Sequence, residues 1–225
     1  MRVRTRSTIT TIATCIAGAT VLALPYLTAL ESRNILQCSG HNEPSLDRQI
    51  AACTALIRSV KKSMLILPPP YLVSAFANRG NVYMKKGQYE RAIQDYGQAL
   101  QLSPNYTTIL YNRGEAFLAS AQWDTAIRDF GQAIRLNPKD FAAFNERGRA
   151  YANKHEFARA IEDYNEAIRL KSNFVIAFNN RGVALRFLGE RERATADFRK
   201  ALMLNPNEAN RQFAEAALKE LTEKH

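Results

Sequence analysis

Small and apolar residues recur along the chain every 34 positions, and within each period their spacing is that of helices. Large apolar side chains lie four residues before and three residues after a glycine, which predicts the buried stripe of a first helix. An aromatic residue four positions after an alanine predicts the stripe of a second helix. Because neither helix can bury its stripe alone, the helix pairs must stack. The glycines are Gly80, Gly114, Gly148 and Gly182, the alanines are Ala92, Ala126, Ala160 and Ala194, and the aromatic residues are Tyr96, Phe130, Tyr164 and Phe198.

This pattern resembles the tetratricopeptide repeat, a helix-turn-helix unit of 34 residues. The resemblance covers Val73 to Glu208 and implies an all-α solenoid of stacked antiparallel helix pairs, whose members are termed helix A and helix B. The chain also resembles exported tetratricopeptide repeat proteins of Gram-negative bacteria. We expect the four repeats at residues 73–106, 107–140, 141–174 and 175–208.

Both ends of the repeat array differ from its middle. Residues near 45–59 resemble a lone helix B with Cys53 at the aromatic position, so residues 31–72 are expected to form an N-terminal cap built on a degenerate half-repeat. In this cap the segment carrying Cys38 replaces helix A, and an irregular connector runs from Met64 to Leu72. Residues 209–225 place apolar residues, Phe213 among them, at helical spacing, which predicts a capping helix with a polar outer side.

An arginine stands directly before the glycine of every repeat, where the family pattern has leucine, and an aspartate follows that arginine by 16 residues. A guanidinium fork fits a carboxylate well in a half-buried contact, so we predict that each arginine pairs with its aspartate across the contact between helix A and helix B. The alternative is a ladder of basic side chains that binds a ligand. The pairs are Arg79 with Asp95, Arg113 with Asp129, Arg147 with Asp163, and Arg181 with Asp197.

The first thirty residues have the composition of an export signal. Three arginines within residues 2–6 precede residues 7–30, which contain no charged side chain, and the most apolar part is about ten residues long. Residues 1–30 are therefore expected to be a signal peptide, cleaved after Ala23 or Ala29, or an uncleaved anchor that tethers the chain to the membrane through residues 8–30. Both alternatives predict an exported protein, periplasmic or anchored in the inner membrane and facing the periplasm. A weak likeness to a lipoprotein box at Cys15 is a third alternative.

Two cysteines remain once the leader is set aside. Cys38 and Cys53 are an even number in an oxidising compartment, which favours a disulfide. The alternative is a metal site that adds His41, but a structural zinc site needs four ligands and no nearby residue completes the set. We therefore predict the disulfide and no bound metal.

Composition and motifs narrow the function further. With 46% hydrophobic and 23% charged residues the chain is neither disordered nor a multispanning membrane protein. The net charge of +10 is interspersed along the chain, so we do not expect nucleic acid as a partner. The histidines have no spacing that pairs them with a nucleophile or carboxylate, and no phosphate-binding loop is present in the sequence. We expect no catalytic residue, no enzyme activity and no cofactor.

The family resemblance implies that helix A side chains line a concave groove that binds a protein or an extended peptide. Asparagine amides both donate and accept hydrogen bonds, so a row such as Asn78, Asn112 and Asn180 can hold a peptide main chain. The alternative is an oligomeric scaffold of the cell envelope with no peptide in the groove. The expected groove residues are Asn78, Asn81, Tyr111, Asn112, Glu115, Asn145, Glu146, Arg149, Asn179, Asn180 and Arg186.

Overall fold

The computed structural model describes residues 29–41, 45–62 and 69–223. The expected leader, its cleavage site after Ala23 and most of the tether at residues 8–30 lie outside the described residues. Eleven helices and no strand are found within the described part of the chain. The fold is therefore the all-α arrangement of consecutive helix pairs that the sequence predicts.

The chain divides into two compact units, Met1–Pro104 and Asn105–His225, named unit 1 and unit 2. In unit 1 consecutive helices pack against one another, and the first helix also contacts the third. The four helices are α1 (Ala29–Cys38), α2 (Leu46–Lys62), α3 (Pro69–Lys85) and α4 (Tyr89–Leu102).

Unit 2 contains three complete helix pairs followed by a last helix. Each helix packs against the next, and the first helices of neighbouring pairs also contact each other, as repeat stacking requires. The last helix contacts both members of the third pair and so covers the end of the stack. The helices are α5 (Thr107–Ala119), α6 (Trp123–Leu136), α7 (Phe141–Asn153), α8 (Phe157–Leu170), α9 (Val175–Phe187), α10 (Arg191–Met203) and α11 (Glu208–Glu223).

Helix A and helix B approach each other where an aromatic ring lies on the glycine of helix A. A β-carbon at Gly148 would lie 2.7 Å from a ring carbon of Tyr164 and 3.1 Å from the carbonyl oxygen of Ala160. Atoms at such distances overlap, so the position requires glycine. The same contact recurs in every repeat, and all four rings are buried.

The predicted pairing of arginine with aspartate is confirmed in all four repeats. In each pair the arginine Nε and Nη2 atoms donate to the two carboxylate oxygens at 2.6 to 2.8 Å. The aspartate side chains are only 6 to 8% exposed. Hydrogen bonding to the carboxylate raises the pKa of Arg79 and Arg147. These arginines therefore hold helix A to helix B, and a ligand-binding ladder is not needed to explain them.

The turns between helix A and helix B require a residue with positive φ. Gly87 and Gly189 supply it in two repeats, and Ala121 and His155 adopt φ values of 59° and 60° in the other two. A side chain at such a φ is strained, so stacking holds these two turns in place at some local cost.

The N-terminal cap differs from the expectation in two respects. The segment that carries Cys38 is itself helical, because α1 extends from Ala29 to Cys38, so the cap is a short helix pair and not a lone helix B. Helix α3 begins at Pro69, within the predicted irregular connector, whose residues 63–68 are not described. Proline is tolerated in a first helical turn, where a backbone N–H has no partner within the helix.

The predicted disulfide is present in the structure. The sulfur atoms of Cys38 and Cys53 are bonded, and both side chains are buried. Cysteines bonded in this way cannot supply thiolates to a metal, which removes the alternative that included His41. The capping helix α11 is confirmed, but Phe213 is 46% exposed and meets Phe198 edge-on instead of lying in the buried stripe.

Candidate functional site

In unit 2 the predicted groove residues lie on α5, α7 and α9, the helix A members of its three repeats. These side chains are termed the helix A face. They are joined by hydrogen bonds and ion pairs that pass from one repeat to the next, as described below. The face consists of Tyr111, Asn112 and Glu115 on α5, Asn145, Glu146 and Arg149 on α7, and Asn179, Asn180 and Arg186 on α9.

A chain of polar contacts links α9 to α7 on this face. The amide of Asn180 donates to Asn145 Oδ1 at 3.0 Å, and the amide of Asn145 donates to Glu146 Oε1 at 2.8 Å. Arg149 Nη1 lies 2.9 Å from Glu146 Oε2, an ion pair whose angles are not those of a hydrogen bond. The Glu146 carboxylate is therefore held by an amide on one oxygen and a guanidinium on the other.

Several predicted groove residues lie beneath the surface. Asn145, Glu146 and Asn179 are 1, 8 and 3% exposed, so in this structure they support their neighbours and present almost no area to a partner. Tyr111, Glu115 and Asn180 are half-buried, and their side chains are reachable from solvent. The helix A face thus has a buried polar layer beneath a half-buried one.

Glu115 has an unusual electrostatic position on α5. Burial and the neighbouring Glu146 carboxylate raise the pKa of Glu115, and Arg149 opposes this shift. Glu115 forms no hydrogen bond or ion pair within the described residues. Perturbed carboxylates of this kind concentrate at functional sites, although structural networks also produce them.

Tyr111 forms the wall beside Glu115. Its ring meets Phe130 edge-on with centroids 5.6 Å apart, which fixes the ring on the repeat core. Burial and the carboxylates of Glu115 and Glu146 raise the pKa of Tyr111, so its hydroxyl stays neutral and can donate a hydrogen bond.

The last helix covers the end of the helix A face. The Asn179 amide donates to the Asn210 carbonyl at 3.4 Å, while its own oxygen is buried without a hydrogen-bond partner among the described residues. Arg186 pairs with Glu220. Asn179 and Arg186 therefore bind α11, and the sequence pattern did not reveal these partners because α11 has no counterpart in the other repeats.

Unit 1 contains the two remaining predicted groove residues, both on α3. Asn78 is half-buried. Asn81 is also half-buried, and its Oδ1 accepts a hydrogen bond from the Tyr96 hydroxyl at 2.7 Å. Asn81 thus takes part in the contact between α3 and α4, and Asn78 stays a prediction as a groove residue.

Sequence reasoning also missed the second partner of two repeat arginines. Arg181 Nη1 donates to Asn165 at 2.6 Å, and Arg79 Nη1 donates to Thr54 at 2.9 Å. Both acceptors lie on the preceding helix B, one position after Tyr164 or Cys53, so an arginine can join three helices. A polar residue directly after the aromatic position is the signal that could have revealed this.

Within the described part of the chain, no group of three or more histidine, cysteine, aspartate or glutamate side chains is arranged to hold a metal ion. Nor does any helix there combine the length and apolarity needed to cross a bilayer.

Stacked two-helix repeats with a conserved internal geometry define a helical-repeat protein. A TPR repeat model matches residues 80–121, and two tetratricopeptide repeat models match residues 111–174 and 175–208. The chain belongs to the tetratricopeptide repeat family.

Solved structures of similar fold agree with this assignment. The structure of MamA 41-end from Desulfovibrio magneticus RS-1 is 19% identical over 79% of this chain and 96% of that chain, with a TM-score of 0.69. YrrB, described as a TPR protein with an unusual peptide-binding site, is 22% identical over 92% of this chain and 97% of its own, with a TM-score of 0.68. The first TPR of Spaghetti (RPAP3), bound to the HSP90 peptide SRMEEVD, is 25% identical over 52% of this chain and 94% of its own, with a TM-score of 0.51. No curated protein matches the chain.

Proposed function

We propose that the helix A face of unit 2 binds an extended peptide segment of a partner protein. Tetratricopeptide repeat proteins are generally non-enzymatic modules of protein interaction, and the fold of this chain supports that class of function. The neighbours described with a peptide-binding site or a bound peptide support the finer proposal.

The observation that carries the proposal is the half-buried layer of Tyr111, Glu115 and Asn180 above a buried polar layer. Asn180 uses its amide N–H on Asn145, which leaves its carbonyl oxygen as an acceptor for a peptide N–H. Tyr111 supplies a rigid ring and a neutral hydroxyl. Glu115 is partly desolvated without a hydrogen bond among the described residues, so a donor on a peptide would relieve that cost.

The first test selects peptides from a displayed random library on the full chain and measures their affinity by fluorescence anisotropy. Glu115→Gln and Asn180→Ala should each weaken binding by about fivefold or more, the loss of roughly one hydrogen bond. Matched controls are Glu192→Gln and Asn173→Ala, which change the same residue types at exposed positions away from the face. Peptides that bind all four variants equally would refute the assignment.

A second candidate function is the oligomeric envelope scaffold. It is favoured by the exposed apolar side chains of unit 2, among them Phe187 and Met203 at 59 and 77% exposure. Size-exclusion chromatography with light scattering separates the two. A stable oligomer that selects no peptide would favour the scaffold, and a monomer that selects peptides would favour the interaction module.

We also propose that the protein acts outside the cytoplasm, either free in the periplasm or tethered through residues 8–30. The disulfide supports this, because such bonds persist mainly in oxidising compartments. A C-terminal fusion to a reporter that is active only after export should be active. An inactive fusion with an intact chain would contradict the export.

A further inference from the structure

Positive charge is distributed unevenly between the two units. Residues 1–104 contain 12 lysine and arginine against 5 aspartate and glutamate residues, whereas residues 105–225 contain 19 against 16. Unit 2 is nearly balanced, so most of the excess of the chain belongs to unit 1. Excess charge of one sign favours a partner of the other sign.

Part of this charge surrounds a shallow depression between α1 and α2. Two guanidinium groups and two side-chain amides line it, together with small side chains, and no carboxylate contributes to it. The lining residues are Arg33, Asn34 and Gln37 on α1 and Arg48, Ala51, Ala52 and Ala55 on α2. This surface is termed the basic face.

The two arginines of the basic face are not neutralised by the fold. Arg33 and Arg48 are exposed and form no ion pair with any described residue, unlike the four repeat arginines. The nearest carboxylate in sequence, Asp47, is taken by Lys86, whose Nζ lies 2.5 Å from Asp47 Oδ1. Two unpaired guanidinium groups beside amide donors suit a phosphate group, because the planar fork of arginine donates two hydrogen bonds to phosphate oxygens.

The position of this face in the chain selects the source of the phosphate. Helix α1 begins at Ala29, at the end of the uncharged residues 7–30, so Arg33 follows that segment within three residues. A segment that enters a membrane brings the residues after it to the headgroup layer, where basic side chains gain from anionic lipids. We propose that the basic face binds the phosphate groups of anionic phospholipids and holds unit 1 against the membrane surface.

The test measures co-flotation of the full chain with vesicles of phosphatidylcholine alone and of phosphatidylcholine with 30% phosphatidylglycerol, a composition given as about that value. The double variant Arg33→Gln/Arg48→Gln should bind the anionic vesicles about 10- to 30-fold more weakly than the unaltered chain at low salt. The matched control, Arg199→Gln/Arg211→Gln, removes the same charge from exposed arginines of unit 2 and should keep the affinity.

Each other outcome overturns the proposal. An equal loss in the control would mean that net charge alone attracts the chain. Equal binding of the unaltered chain to neutral and anionic vesicles would assign the attachment to the apolar segment. Displacement from anionic vesicles by millimolar inorganic phosphate at constant ionic strength would indicate a site for free anions. Peptide binding at unit 2 is measured separately, so failure of one proposal does not entail failure of the other.

Discussion

The helix pair α1 and α2 and the repeat pairs of unit 2 hold their helices together by different means. In unit 2 a glycine admits an aromatic ring, and an arginine donates twice to an aspartate. In the N-terminal pair a buried disulfide joins Cys38 to Cys53, and Ala52 precedes Cys53 where an aspartate precedes each aromatic residue. The partners are 15 residues apart in one case and 16 in the other, so the same close approach is met once by a covalent bond and elsewhere by packing and charge.

The largest expected effect is at the covalent contact. Cys38→Ser/Cys53→Ser should destabilise the N-terminal pair by about 3 kcal/mol, because a closed loop of fifteen residues restricts the unfolded chain by about that amount. Amide hydrogen exchange should show about a hundredfold loss of protection in α1 and α2 and no change in α7 to α11. Cys15→Ser leaves the pair intact and serves as the control. Uniform loss of protection along the chain would contradict a local role.

The next effect concerns the charged half of the repeat contact. Arg147→Ala leaves the Asp163 carboxylate, which is 7% exposed, without its partner and should cost about 3 kcal/mol. Urea unfolding measures the change. Arg169→Ala is the matched control, because its ion pair with Glu166 lies on the surface and its loss should hardly move the midpoint. Equal midpoints for both variants, or loss of peptide binding in Arg147→Ala without destabilisation, would return the arginine to a ligand-binding role.

The packing half of the contact should be somewhat less sensitive. Gly148→Ala places a β-carbon 2.7 Å from the Tyr164 ring and should cost about 1 to 3 kcal/mol through overpacking. Gly131→Ala is the control within the same unit. Its nearest neighbour would be Arg147 Nη1 at 3.7 Å, so the change should stabilise the helix by up to about 1 kcal/mol. Thermal melting curves of opposite shift would support the contact, and equal shifts would not.

The smallest effect lies on the helix A face, which the contact between helix A and helix B does not use. The pKa of Glu115 is raised in the folded chain, so its ionisation costs stability once the pH rises through that pKa. Glu115→Gln should therefore raise stability at pH 7 by less than about 1 kcal/mol, since the side chain is partly screened by solvent. The gain should vanish below about pH 4, where the carboxyl is neutral in both folded and unfolded chains. A gain independent of pH, measured by chemical denaturation, would point to packing instead.

The sequence predicted the contacts that repeat, because each is set by a fixed separation along the chain. The pairing of Arg113 with Asp129 follows from its recurrence every 34 residues and from the chemistry of the two groups. The disulfide followed from the count of cysteines and the compartment. The helical state of residues 29–38 was missed, since this short segment lacks the glycine and arginine that mark helix A elsewhere.

What the sequence by itself determined is the family, the helix pairs and the residues that join helix A to helix B, because these depend on local separations that periodicity displays. The tertiary structure decided which side chains of the helix A face remain accessible. Asn145 and Asn180 occupy similar predicted places, yet one is 1% exposed and the other half-buried, because burial depends on how adjacent repeats and α11 pack over each position. That packing involves neighbours without a repeating counterpart, such as Asn210 and Glu220, and so no period along the chain reports it.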